Sequence, residues 1–382
     1  MADFIFRISP NIVIGSYTLS RLGQFAREHG SKFMVIMDPI LKEVNTAHKI
    51  LEPLTDRKID FFVYDEIADG TTTSVIERAL SLARQSHIHG IIAAGGGKAI
   101  HVGQVLSALY HENHAVYDYI DGAVPTTASL PLICVPSTIR EIFMYSPFVP
   151  VIDSRNNAVK VFRTQSSVCR LSLIDPNLTA TLTENQHTAM VLETLCLATE
   201  AYLSQRASFF SDMLSEKAVE LLSYALDGTP SLEIVTPAEE LLAHGGCMAS
   251  IAIAASAPGM CTLLGIAINA RFRISISLIT AILFPHFIED AGTYKTNRVA
   301  TLAHLFRVVP REVTGIEAVK TFAENIRHRL GKMNLPVRLK DLGVPIEQLS
   351  RAVEDAGQLH MMSSLSKSMT SDDLFTFIMQ AY

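Results

Sequence analysis

GIIAAGGGKAIHVGQ, residues 90–104, decides how this chain folds. Its apolar run Gly90–Ala94 has the length and composition of a buried strand, closed by the turn signal of three consecutive glycines. A helical pattern follows from Ala99. The glycines therefore mark a strand-to-helix turn, the place where an α/β protein holds a phosphate on backbone N–H groups. Yet the first turns of that helix carry Lys98, His101 and Gln104, an unusual lining for a dinucleotide.

The same alternation extends to both sides. FMVIM (33–37), FFVY (61–64) and PLICV (131–135) read as further strands, and helical patterns lie near 39–53, 72–87 and 99–112. Short β-rich runs alternating with amphipathic stretches predict βαβ units, hence a parallel sheet with helices on its faces. VPVI and VKVF, joined through Ser154, Arg155, Asn156 and Asn157, predict a hairpin. MADFIFRISPNIVIG carries Asp3 and Arg7 inside its apolar stretch and lacks a small-residue cleavage signal, so it reads as a first pair of strands and not as a secretory leader. After Asp175-Pro176 the strand signal fades. Thr183 with Gln186 forms a capping box that starts a long helix, helical periods continue to Tyr382, and Ser371 is placed as the N-cap of the last helix. Residues 1–175 are thus expected to form a Rossmann-like α/β domain and residues 176–382 an all-α domain.

The totals exclude several classes. With 382 residues, 48% of them hydrophobic, and a mean hydropathy of +0.26, the chain can build two well-packed cores. A net charge of -6 and a pI of about 6.1 offer no basic footprint for nucleic acid or an anionic membrane. Residues 248–270 are uncharged and long enough to span a bilayer. Their richness in Ala, Ser and Gly, the internal Pro258-Gly259 and the lack of any Trp predict instead a helix buried against close neighbours. The five cysteines are scattered without a CxxC pair, which predicts free thiols in a reducing cytoplasm and neither a disulfide framework nor a thiolate metal site.

FMVIMDP, GIIAAGGGKAI, PLICVPST, LIDPNLT, EAYLS, AILFPH and LPVRLKDLGV, with the tail MTSDDLFTFIMQAY, carry a resemblance that covers nearly the whole chain. The chain resembles the iron-containing (group III) alcohol dehydrogenases, relatives of glycerol dehydrogenase and dehydroquinate synthase. The resemblance implies a dehydroquinate synthase-like fold, a homodimer, an NAD(P) pyrophosphate on the glycine turn and a divalent iron or zinc ion. Gly95, Gly96 and Gly97 match the family's turn, while Lys98, His101 and Gln104 replace its Ser, Asp and Lys. Ser137 and Thr138 match the second cofactor loop, but Arg140 and Ile142 stand at glycine places and Phe143 at a serine place. Side chains of that size are expected to narrow or fill the nicotinamide half of the pocket. Asp38, at the end of its strand, is placed to bind an adenosine ribose. At the metal-ligand places Glu193 replaces an Asp, and Leu197, Ile268 and Ile276 replace histidines, so no metal is expected.

The function expected from this reading is a divergent, metal-independent enzyme acting on a small anionic metabolite in the cleft between its domains, by ancestry an NAD(P)-dependent alcohol or aldehyde oxidoreductase. His101, Glu141 and Glu193 are the candidate acid/base groups. Asp38, Gly95, Gly96, Gly97, Lys98, Ser137 and Thr138 are the candidate cofactor contacts. Arg140, Arg271 and Arg273 are the candidate substrate contacts, since guanidinium forks suit a carboxylate and two arginines two apart on an extended segment share a face. Alternatively, those arginines pair with acids such as Glu193 or Glu200. Two other classes compete: a non-redox isomerase, lyase or cyclase on the same scaffold, and a catalytically silent paralogue. The expected partner is a small molecule, with no nucleic acid and no membrane.

Overall fold

The apolar runs of the first half assemble into one parallel sheet. In the computed structural model, which describes residues 10–165, 168–227 and 237–382, the chain divides into two units, Met1–Thr181 and Leu182–Tyr382. The first contains β1 (Asn11–Ile14), α1 (Leu22–Arg27), β2 (Lys32–Met37), α2 (Ile40–Glu43), α3 (His48–Asp56), β3 (Asp60–Tyr64), α4 (Thr73–Gln85) and β4 (Gly90–Gly95). It continues with α5 (Gly97–Leu109), α6 (Val116–Ile120), β5 (Leu132–Pro136), β6 (Phe148–Ile152), β7 (Val159–Arg163) and β8 (Cys169–Ile174). Six strands run in the order β1-β8-β5-β4-β2-β3, every neighbouring pair parallel, and β6 and β7 form the separate antiparallel hairpin.

Strand periodicity of two explains why the sheet is apolar on both faces. Met34, Ile36, Ile91 and Ala93 enter the core that contains α4 and α5 residues. Phe33, Val35, Ile92 and Ala94 enter the opposite core, which holds Leu22, Ala26 and Ile50 of α1 and α3. The order places β4 and β5 side by side, Gly95 paired with Pro136, so the glycine turn and the loop after β5 leave the same edge of the sheet. The single helix expected over 39–53 is two helices, because Asn45 adopts a left-handed φ of 54° between α2 and α3. Of the expected first pair of strands, Asn11–Ile14 is β1, beside β8; the remainder falls in residues 1–9, outside the described residues.

The second unit is helical: α7 (Glu184–Leu203), α8 (Phe209–Asp227), α9 (Ala238–Ala255), α10 (Met260–Phe272), α11 (Ile276–Gly292), α12 (Thr296–Leu305), α13 (Gly315–Lys332), α14 (Ile346–Gly357) and α15 (Ser371–Gln380). Thr183 caps α7 as its sequence predicts, accepting from Gln186 N–H while the Gln186 side chain accepts from Thr183 N–H. The cap of α15 is displaced by one residue: Thr370, not Ser371, accepts from Asp373 N–H, because Asp373 closes a capping box with Thr370. Residues 248–270 are not one buried helix but parts of two, α9 and α10, bent by 97°. Pro258 lacks an N–H and Gly259 is the extended N-cap of α10, so the helix cannot continue through them. Among the described residues no single helix is long and apolar enough to cross a membrane. Edge-to-face rings of Phe284 and Phe322, with Phe306 beside Phe322, fill the core around α11 and α13.

Candidate active site at the glycine turn

Gly95 ends β4 at a φ of 142°, a region open to glycine alone in practice. A methyl group on Gly95 would lie 2.5 Å from Asp38 Cβ and 3.1 Å from Ala99 Cβ. The turn is therefore packed directly on the end of β2, and Asp38 N–H donates to Ala94 O at 2.9 Å to hold it there. The Asp38 carboxylate accepts from Ile40 N–H at 3.4 Å. Asp38 and the glycines are thus neighbours. On the other side Ser137 N–H donates to Gly95 O at 3.0 Å, which ties the loop after β5 to the turn.

That loop closes over the glycines. Gly96, the N-cap of α5, supplies no capping side chain. A methyl on Gly96 would meet Thr138 Cγ2 at 3.2 Å, and one on Gly97 would meet the His101 ring at 3.4 Å and Glu141 Oε2 at 3.6 Å. Glu141 is 3% exposed, and the Thr138 hydroxyl lies 2.5 Å from its Oε1 and 2.9 Å from the Arg140 carbonyl. A buried carboxylate therefore stands at the N-terminal end of α5, where the helix dipole favours negative charge. Ile142 and Phe143 are buried behind it, and Gln104 Nε2 donates to Phe143 O at 3.1 Å, pinning the loop to α5.

His101 meets Phe143 edge to face at a centroid distance of 5.7 Å, and its Nε2 is buried without a hydrogen-bond partner. Burial pushes its pKa down to about 3, and the nearby Arg140 guanidinium pushes the same way. The imidazole is neutral at physiological pH, so it can donate or accept one hydrogen bond but does not serve as a cationic acid. Lys98 is exposed, and its Nζ donates to Ala68 O at 2.9 Å.

The remaining candidates belong to the helical unit. Glu193 is fully buried in α7. Arg271 is engaged within its own unit: its Nε and Nη2 clasp both oxygens of Asp355 at 2.7 and 2.9 Å, a bidentate pair in which Asp355 is nearly buried. The partner is Asp355, not Glu193 or Glu200. Nor do Arg271 and Arg273 share a face of an extended segment, because Arg271 lies in the last turn of α10 and Arg273 is its left-handed C-cap at φ 59°. The metal positions of the resemblance hold one carboxylate, Glu193, with aliphatic Leu197, Ile268 and Ile276, a donor set that does not fit a catalytic divalent ion.

A group the sequence reading passed over lies nearby in the same unit. Cys196, Glu200 and Cys261 bring two thiols and a carboxylate within 4.8 Å of one another. Glu200 Oε1 accepts from Cys261 N–H and Thr262 N–H at 2.7 and 3.1 Å, and Oε2 accepts from Gly259 N–H at 3.1 Å and the Thr262 hydroxyl at 2.5 Å. Burial pushes both thiols up, and it lifts Glu200 to about 7 against those four donors. The carboxylate is saturated as the N-terminal cap of α10, and its thiol neighbours are protonated. The spacing of Cys196 and Glu200, i and i+4 on α7, is visible in the sequence; the arrival of α10 beside them is not.

Comparison with known proteins agrees with this architecture. Residues 9–176 match the family model of the iron-containing alcohol dehydrogenases, and residues 188–382 match the C-terminal model of the Fe-containing alcohol dehydrogenase family. The chain is 23% identical to long-chain-alcohol dehydrogenase 1 of Geobacillus thermodenitrificans, over 90% of this chain and 88% of that protein. It is 22% identical to the NADPH-dependent butanol dehydrogenase of Clostridium saccharobutylicum, over 91% and 89% of the two chains. The solved structure of a 1,3-propanediol oxidoreductase superposes over 100% of both chains with a TM-score of 0.90 at 18% identity. With both halves matched in order and the parallel sheet followed by helices as the fold requires, the chain belongs to the iron-containing alcohol dehydrogenase family.

Proposed function

We propose that this member of the family works without a metal ion, on a small anionic metabolite, by proton transfer at the glycine turn. One observation carries the reading: the Glu141 carboxylate and the ring of His101 both close on Gly97, the first residue of α5. Glu141 acts as the base that takes a proton from the carbon beside a carbonyl and later returns it. Neutral His101 donates its ring N–H to the carbonyl oxygen as negative charge develops there, a role that needs no imidazolium. Arg140, whose charge already acts on His101, pairs with the substrate's carboxylate. Ile142 and Phe143 are buried in the loop that follows Glu141, which supports a reading in which no step passes through a nicotinamide.

The test is hydrogen–deuterium exchange at carbon. EDTA-treated full-length protein is incubated in D2O with a panel of small 2-oxo acids and followed by NMR. Exchange into at least one of them, with about a hundredfold loss in Glu141→Gln, is the expected result. Absence of exchange across the panel, or its loss on chelation, overturns the reading. A second reading, NAD(P)-linked oxidation of a small alcohol or reduction of its carbonyl, is favoured by the family match across both halves and by Asp38 standing against Gly95. Saturable micromolar binding of NADPH in a calorimetric titration, with turnover of a carbonyl substrate, selects it.

A further inference from the structure

We infer that Glu141 is an internal ligand of the glycine turn, and that its carboxylate holds an external pyrophosphate off the N-terminus of α5. The turn has the shape of an anion site: consecutive glycines, a helix start with no capping side chain, and Gly97 and Lys98 in the first turn of a long helix. Glu141 stands beside it. Glu141 Oε2 stands 3.6 Å from the position of a methyl on Gly97, and Thr138 covers Gly96. The carboxylate is steadied by the Thr138 hydroxyl, and Gln104 ties the following residues to the same helix. His101 Nε2, buried and unpartnered, faces the same glycine from the helix side.

The chain uses this device elsewhere. At Gly259, the N-cap of α10, Glu200 reaches in from α7 and takes three backbone N–H groups. Glu141 likewise stands at the start of a helix, with more clearance: 3.6 Å from a methyl on Gly97, against 2.6 Å between a methyl on Gly259 and Glu200 Cδ. Two phosphate charges arriving at α5 would meet a buried carboxylate instead of free helix donors, and like charges at that range in a protein interior repel strongly. A single carboxylate held by Arg140 need not approach the helix end, so the turn discriminates by position as well as by charge. The inference rests on the reading of this turn as the working site.

The experiment is calorimetric titration of the full chain with inorganic pyrophosphate and, separately, NADPH. Wild type is compared with Glu141→Gln, which keeps the shape and removes the charge, and with Glu141→Ser, which empties the position. Thermal unfolding checks that each variant is folded. No saturable heat is expected from wild type at millimolar pyrophosphate, and binding about tenfold tighter or more is expected in either folded variant. Micromolar pyrophosphate binding by wild type overturns the inference, as does a folded variant with no gain. Carbon-bound hydrogen exchange in wild type with no gain in the variants overturns this inference alone. A gain in the variants without wild-type exchange overturns the proton-transfer reading alone.

Discussion

Among the described residues two helices begin at a glycine N-cap, and each has a buried glutamate brought to it from another segment of its own unit. At α10 the contact is tight: a methyl on Gly259 would lie 2.6 Å from Glu200 Cδ, and both carboxylate oxygens are committed to N–H and O–H donors. At α5 a methyl on Gly97 would clear Glu141 Oε2 by 3.6 Å, and the hydroxyl of Thr138 is its close neighbour. The same electrostatics, an anion at the positive end of a helix, serves packing in one unit and leaves a workable group in the other. Clearance at the glycine is the difference. Glu200 is enclosed by its donors and serves packing, whereas Glu141, with clearance at Gly97 and the His101 ring beside the same glycine, is the group to which we assign proton transfer.

The comparison breaks most easily at its tighter end. Glu200→Ala leaves three buried N–H donors without partners and is expected to cost about 4 kcal/mol, read as a lower midpoint in urea unfolding. The same residue gives a pH signature. Burial lifts Glu200 to about 7 from its ordinary value of 4.5, so the folded state holds this proton more firmly than the unfolded chain. Its contribution is complete below pH 4.5 and is lost as pH rises through about 7. Unfolding midpoints measured across that window should fall in wild type and flatten in Glu200→Ala; an unchanged profile would show that another group titrates there.

Gly259→Ala comes next, since its methyl has no room beside a carboxylate pinned by four donors; about 2 kcal/mol of destabilisation is expected in the same assay. Gly97→Ala is the smallest: contacts of 3.4 and 3.6 Å are ordinary packing, so stability should stay within about 0.5 kcal/mol of wild type. If the two alanines cost the same, the two helix ends are alike and Glu141 is a cap of the same kind as Glu200.

Much of the fold was legible because its signals are local. The strands at 33–37, 61–64, 90–94 and 131–135 and the capping box of Thr183 with Gln186 came from periodicity and turn chemistry within a few residues. The departures also have local causes: Asn45 splits one expected helix, Thr370 takes the cap from Ser371, and Pro258-Gly259 breaks the long apolar segment. Of the candidate site, the meeting of Asp38 with the glycines and of Ser137 and Thr138 with the same turn followed from strands that end at one edge of a sheet. Arg271 did not follow, because Asp355 lies 84 residues further along the chain and no spacing announces that pair.

The sequence by itself determined the element types, their order and the family, since side-chain periodicity, caps and glycine turns act over one or two turns of backbone. Only the tertiary structure decided which charge faces which donor: Glu200 on α10, Glu141 on α5, Arg271 on Asp355. Burial decides the rest in the same way. A carboxylate's partner and a histidine's pKa depend on which distant segments exclude water around them, and that is settled when the segments pack.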